Sequence, residues 1–341
     1  MRSLKSGFLA AFLVCFLTQP LYAAGTHNLV SSKVDSAPKI DGSGNDAQWK
    51  SAKKTTAEAE DGPEMSIQSV YTNDSIFFLV QWEDLTGSVD MDRWIYDGSK
   101  WSIKQEERVE ETRDADTDRL GFQWPITDPN QIKKEIKGKV VSFAEVGCSV
   151  LCHSPEKEDK MYLPEAGQQT DLWQWKAALT NPMGYADDWH QDSTNKTAKE
   201  EPDKNKRRSA AQKGDEPLAY TRNIDGDKPK WMPEKGQDNR FLIKGHEVPL
   251  DMSRIKKGDS VPGWLLSKPK GSGGDITAKG KYEEEEMLWT VEISRKLVTS
   301  DKKNDVQFDI TKQYHFGMAN WENDRYQAHT RVKKPFLLSF K

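Results

Sequence analysis

Gly147-Cys148-Ser149-Val150-Leu151-Cys152-His153 constrains this chain more than any other stretch, because two closely spaced cysteines followed at once by a histidine suit one chemistry above others. Each thiol can add to a porphyrin vinyl group as a thioether, and the adjacent imidazole is then held under the ring as an axial iron ligand. The common spacing is C-x-x-C-H; here one more residue separates the cysteines, and a longer loop can still span both vinyls. The motif therefore predicts a c-type haem bound through Cys148 and Cys152, with His153 as proximal ligand. Two other readings stay open. A Cys148–Cys152 disulfide is chemically allowed in an oxidising compartment but would staple a very short loop. Zinc asks for three or four ligands at usable spacing, which Cys148, Cys152 and His153 would supply only by crowding one turn.

Covalent haem attachment in bacteria takes place outside the cytoplasm, so the N-terminus matters. Arg2 and Lys5 precede an apolar run over 8–17, and small residues follow at Ala23-Ala24. That is the pattern of a secretory signal peptide over 1–24; the run is shorter than the roughly 20 residues that span a bilayer. Cys15 lies inside the run and is expected to leave with the peptide, and the rest is expected to work in the periplasm as a single domain over 25–341. Without Arg2 and Lys5 the 50 basic residues become 48 against 54 acidic ones, a net charge of about −6. Such a balance gives no electrostatic footprint for nucleic acid. Twelve tryptophans in a chain that is 30% charged point to a β-rich core or an aromatic-lined pocket.

Residues 65–72 alternate apolar and polar, Asn73-Asp74 marks a turn, and 75–82 is rich in β-formers, so a hairpin is predicted there. Further strands are predicted over 119–124, closed by Pro125, and over 287–293, 305–310, 314–321 and 334–340. Little amphipathic helix separates them. The pattern predicts an all-β, mainly antiparallel sandwich with a long irregular or helical insertion carrying the cysteine motif. Trp49 is expected to pack on the core, and Glu283-Glu284-Glu285-Glu286 to form a solvated hairpin tip. Residues 191–216 are so charged that they cannot bury enough surface to order themselves, which predicts a mobile loop.

Several segments recur together in a familiar order: Asp41-Gly42 with Trp49, Asp118-Arg119-Leu120 with Trp124-Pro125-Ile126, and Asp171-Leu172-Trp173-Gln174-Trp175-Lys176. Asn181-Pro182-Met183-Gly184-Tyr185-Ala186-Asp187-Asp188, Gly258-Asp259-Ser260-Val261-Pro262-Gly263 and Gly271-Ser272-Gly273-Gly274-Asp275-Ile276 follow. Their succession resembles the ethylbenzene-dehydrogenase-related haem-binding family, the γ-subunit-like domain also found with dimethylsulfide dehydrogenase and related molybdenum enzymes. The resemblance covers roughly 38–341. It implies a sandwich similar in shape to carbohydrate-binding modules, holding one haem that exchanges electrons with a partner such as a molybdenum oxidoreductase. The b-type relatives bind haem through a methionine and a lysine; the cysteine motif here resembles the covalent branch.

The relatives' lysine lies near the C-terminus, and the residue in a similar place is His329, which makes it the expected distal ligand. Met161 is the alternative because it closely follows the attachment site; His315, Met318, Met183 and His190 are further candidates. Trp173 and Trp175 suit either a haem-pocket wall or ordinary core packing. The reading that follows is an exported monohaem cytochrome relaying single electrons, with no independent catalysis. A haem-free carbohydrate- or ligand-binding module, and a haem enzyme with an open iron position, are the rival classes.

Overall fold

In the computed structural model, residues 25–60, 62–103, 117–150, 163, 165–192, 219–322 and 329–341 are described. Their main sheet has twelve strands: β1 His27–Lys33, β2 Thr55–Ala57, β3 Met65–Tyr71, β4 Ser75–Glu83, β5 Arg119–Pro125 and β6 Gln169–Lys176. The rest are β7 Asp187–Asp192, β8 Thr277–Glu283, β9 Leu288–Lys296, β10 Tyr314–Trp321, β11 His329–Arg331 and β12 Phe336–Phe340. They run in the order β7-β6-β5-β10-β12-β1-β3-β4-β9-β8, with β2 added to β3 and β11 to β10.

The sheet curls until its two halves face each other, because one side of every long strand is apolar and must be buried. Phe78 on β4 meets Phe122 and Trp124 on β5, Trp173 on β6 and Phe316 on β10, with centroids 5.5–6.3 Å apart. Trp82 and Trp289 from one half pack on Trp175 from the other. Each such aromatic pair contributes about 0.5–1.5 kcal/mol beyond its buried area. At the far edge Tyr185 bridges to Thr277, and the Ala186 N–H donates to the Ile276 carbonyl, drawing β7 towards β8. β1 serves both halves, pairing in parallel with β12 over 27–31 and with β3 at 32–33.

The all-β sandwich is as expected, and so are the 65–83 hairpin and the strands at 119–125, 288–296, 314–321 and 336–340. Trp49 is buried and donates its indole N–H to Glu292, and the tip between β8 and β9 is exposed. Two expectations are corrected. Residues 305–310 form no strand: the Val306 N–H donates to the Asp171 carboxylate and the Phe308 N–H to the Leu297 carbonyl. This side-chain tether replaces a ladder partner while Val306 and Phe308 still enter the core. Conversely, the long excursion after Trp124 is not all insertion, since β6 and β7 belong to the main sheet. Of the charged loop, residues 193–216 lie outside the described residues.

Candidate functional site

The cysteine motif starts in a layer laid over the outer side of β10. Ile132, Phe143, Cys148, Val150 and Leu163 form its apolar body. Ser142 opens the short helix Phe143–Val146, with the Glu145 carboxylate accepting from both the Ser142 N–H and its hydroxyl. This capping arrangement satisfies donors that a helix start leaves bare. Gly147 ends the helix at φ 63, a left-handed conformation that glycine adopts without a Cβ penalty. The turn Gly147–Val150 then lowers Cys148 onto the strand.

Alternation along β10 fixes what lies beneath it. Phe316 and Met318 face the aromatic interior, so His315, Gly317, Ala319 and Trp321 face outward. Cys148 rests on Gly317: a Cβ built there would lie 2.9 Å from the cysteine Cβ and 3.0 Å from its backbone nitrogen. Glycine inside a strand marks such a close approach. His315, two positions along, is half-buried, and its Nε2 is sealed from solvent with no hydrogen-bond partner among the described residues. Burial pushes the His315 imidazole below its ordinary value, against a smaller opposite pull from Asp128. The neutral ring, with one nitrogen bearing a lone pair, is the form that binds metal.

His329 shares this side of the sheet. It pairs with Trp321 across β10 and β11, its ring 5.1 Å from the indole. Trp321 in turn lies over Gly121. The structure therefore brings Cys148, His315 and His329 to one outer face. Cys152, His153 and Met161 lie outside the described residues.

Other candidates fall elsewhere. Trp173 and Trp175 are fully buried in the main core of the sandwich, and neither belongs to the cluster around Cys148. Met318 is 1% exposed in the same interior. Met183 packs against a separate cluster of Tyr185, Tyr220 and Trp264. His190 is the register partner of Asp171, which binds Arg295 on the inner side. The signal that favoured His315 and Gly317 was present in Tyr314-His315-Phe316-Gly317-Met318: the interior residues alternate with a histidine and a glycine.

The arrangement fits a thioether-held haem in two respects. Backbone geometry fixes a cysteine against a strand position with no side chain, and on the same face lies a buried imidazole nitrogen that has no partner among the described residues. An orphaned buried polar atom is costly unless something ligates it.

On the same outer face, at the β6–β7 end, Lys176 Nζ donates to Asp187 and to the Tyr220 hydroxyl, which itself donates to Asp187. The Lys176 Nζ also lies 4.7 Å from the centre of the Trp189 ring. This network is fully enclosed and fastens the small sheet of Tyr220–Arg222 and Trp264–Leu266 to the main one.

A family model described as ethylbenzene dehydrogenase matches residues 33–332. No curated protein matches the chain. Among solved structures, a family 9 carbohydrate binding module from Caldicellulosiruptor kristjanssonii in complex with cellotriose is similar at 7% identity. The match covers 92% of this chain and 94% of that one, with a TM-score of 0.34. A candidate carbohydrate-binding protein from Bacteroides uniformis is similar at 8% identity over 92% of this chain and 99% of that one, with a TM-score of 0.36.

Proposed function

The chain belongs to the ethylbenzene dehydrogenase family, and from that premise we propose that it is an exported monohaem c-type cytochrome relaying single electrons. It acts as the haem subunit or partner of a molybdenum oxidoreductase, the class of enzyme with which this family is associated. The observation that carries the reading is the seat of Cys148 on Gly317, on the same face as the half-buried His315 with its sealed Nε2.

In this reading Cys148 and Cys152 form the thioethers, and His153 supplies the proximal imidazole. The bound haem supplies the one-electron chemistry, which the protein tunes through axial ligands and burial. The apolar residues Ile132, Phe143, Val150 and Leu163 keep water from the Cys148 side. His329 and His315, which share the outer face with Cys148, would offer the iron its second protein ligand. The chain's own residues bind, orient and shield; bond-making on a substrate belongs to the partner.

The test is a pyridine haemochrome spectrum after acid–acetone extraction, on protein co-expressed with a cytochrome c maturation system. Haem that stays with the polypeptide and gives a c-type spectrum supports the reading. Haem that extracts makes the chain a b-type relative with incidental cysteines. A colourless protein overturns electron transfer and leaves a binding module.

A further inference from the structure

We infer that His315, rather than His329, is the second axial ligand of the haem, an inference that rests on the covalent-haem reading above. The chain has six histidines. His153 is the motif histidine, and the other five are all described. His27 packs against Phe336 on the interior side, with the rings tilted and their centroids 5.3 Å apart. His190 follows the inward register of Asp171, and His246 caps the distant turn before Glu247–Pro249, its N–H donating to the Ile243 carbonyl. That leaves His315 and His329 on the outer face with Cys148.

Distance along β10 separates these two. A strand advances roughly 3.3 Å per residue. Cys148 lies over Gly317, so the backbone of His315 is about 7 Å away along the strand, whereas Trp321 is about 13 Å away. His329 lies one strand beyond Trp321. An iron tethered through Cys148 is held within half a porphyrin width of that thioether, which reaches over His315 first.

The partners of the two rings differ as well. The His329 ring lies against Trp321, at the end of the sheet that adjoins the undescribed residues 323–328. His315 Nε2 is enclosed and has nothing to donate to or accept from among the described residues. Its strand neighbour across the ladder is the buried Leu337, which offers no polar atom. Metal ligation would satisfy this nitrogen. Two imidazoles would then flank the iron, which generally leaves the reduction potential lower than a histidine–methionine pair does.

The experiment uses the full chain matured with haem, as wild type, His315→Ala, His315→Met and His329→Ala. Haem staining on a denaturing gel reports attachment. Near-infrared magnetic circular dichroism of the ferric protein reports the axial pair, and carbon monoxide added to the ferrous protein reports an open position. The wild type and His329→Ala should show the bis-imidazole band and bind no carbon monoxide. His315→Ala should lose that band, bind carbon monoxide and regain a low-spin spectrum with added imidazole. His315→Met should show a thioether–iron band and a higher potential.

A wild-type thioether signature overturns the inference even if no variant folds. So does an unchanged His315→Ala spectrum, or loss of the bis-imidazole band in His329→Ala alone; in each case the covalent reading survives if the gel stains. A wild type that carries no covalent haem overturns both.

Discussion

Arg295 donates to the Asp171 carboxylate at 2.7 Å across the sandwich interior, and neither side chain has any exposure. The guanidinium also lies 4.6 Å from the centre of the Trp173 ring. Asp188 and Asp305 complete a carboxylate cluster around it, their oxygens and that of Asp171 within 4.8 Å of one another. Removing one partner of a buried pair leaves an uncompensated charge, which costs about 3–5 kcal/mol. Arg295→Met should lower stability by that amount or more, since three carboxylates lose their cation. Urea unfolding curves followed by tryptophan fluorescence check it, and a change below 1 kcal/mol would mean the cluster is neutralised another way.

Trp173 packs in the main core and not in the cluster around Cys148. Trp173→Ala should cost about 3–5 kcal/mol, the usual range for deleting a large buried aromatic. The Soret and α bands of the folded, haem-loaded variant should stay where they are in the wild type. A shifted Soret band would place this indole against the cofactor after all.

Gly317 is the contact through which β10 holds Cys148. A methyl group there would stand 2.9 Å from the cysteine Cβ, and overpacking of this kind costs about 1–3 kcal/mol. Gly317→Ala should therefore reduce stability within that range and lower the fraction of chains carrying covalent haem. Quantifying haem stain per unit protein tests the second effect separately from the first.

Burial raises the Asp84 carboxyl from 3.8 to about 6, despite the N–H of Thr86 donating to it, and the Glu322 carboxylate adds to the rise. Between those values the folded state binds more protons than the unfolded one, so stability falls as pH rises from about 4 through 6. It stays reduced above that window. Asp84→Asn should thus stabilise the protein at pH 7.5 and have little effect at pH 3.5. Urea midpoints at the two pH values decide it; equal shifts at both would rule out titration as the cause.

Much of the sheet could be read from alternation and from runs of β-formers. The 65–83 hairpin shows two stretches rich in β-formers around the polar turn Asn73-Asp74, and Pro125 marks the end of β5. Where charges enter the interior, alternation loses its meaning. Asp171, Asp187 and Asp188 are fully buried, so β6 and β7 look like loop or pocket until Arg295 and Lys176 are seen opposite them. Residues 305–310 mislead in the other direction, because Val306 and Phe308 alternate as a strand would but are tethered by a carboxylate.

The site was legible to the same degree. The cysteines announce an attachment point in one dimension. Which histidine faces Cys148 depends on the phase of a strand some 170 residues later, and only the pairing of β10 with β5 and β12 sets that phase.

β1 pairs with β12, one of the earliest strands lying against the last. On a ribosome this puts a seam in the shell that no shorter nascent chain can sew shut. Until residues 336–340 emerge, positions 27–31 lack the neighbour that joins the two halves, and closure must wait for the full length. Sheets completed by such distant pairings fold slowly. If the chain is exported as proposed, threaded through a translocon in linear order, that delay is useful. The segment around Cys148 emerges before β10 does, so in the covalent-haem reading Cys148 would be open to modification before Gly317 comes to lie against it.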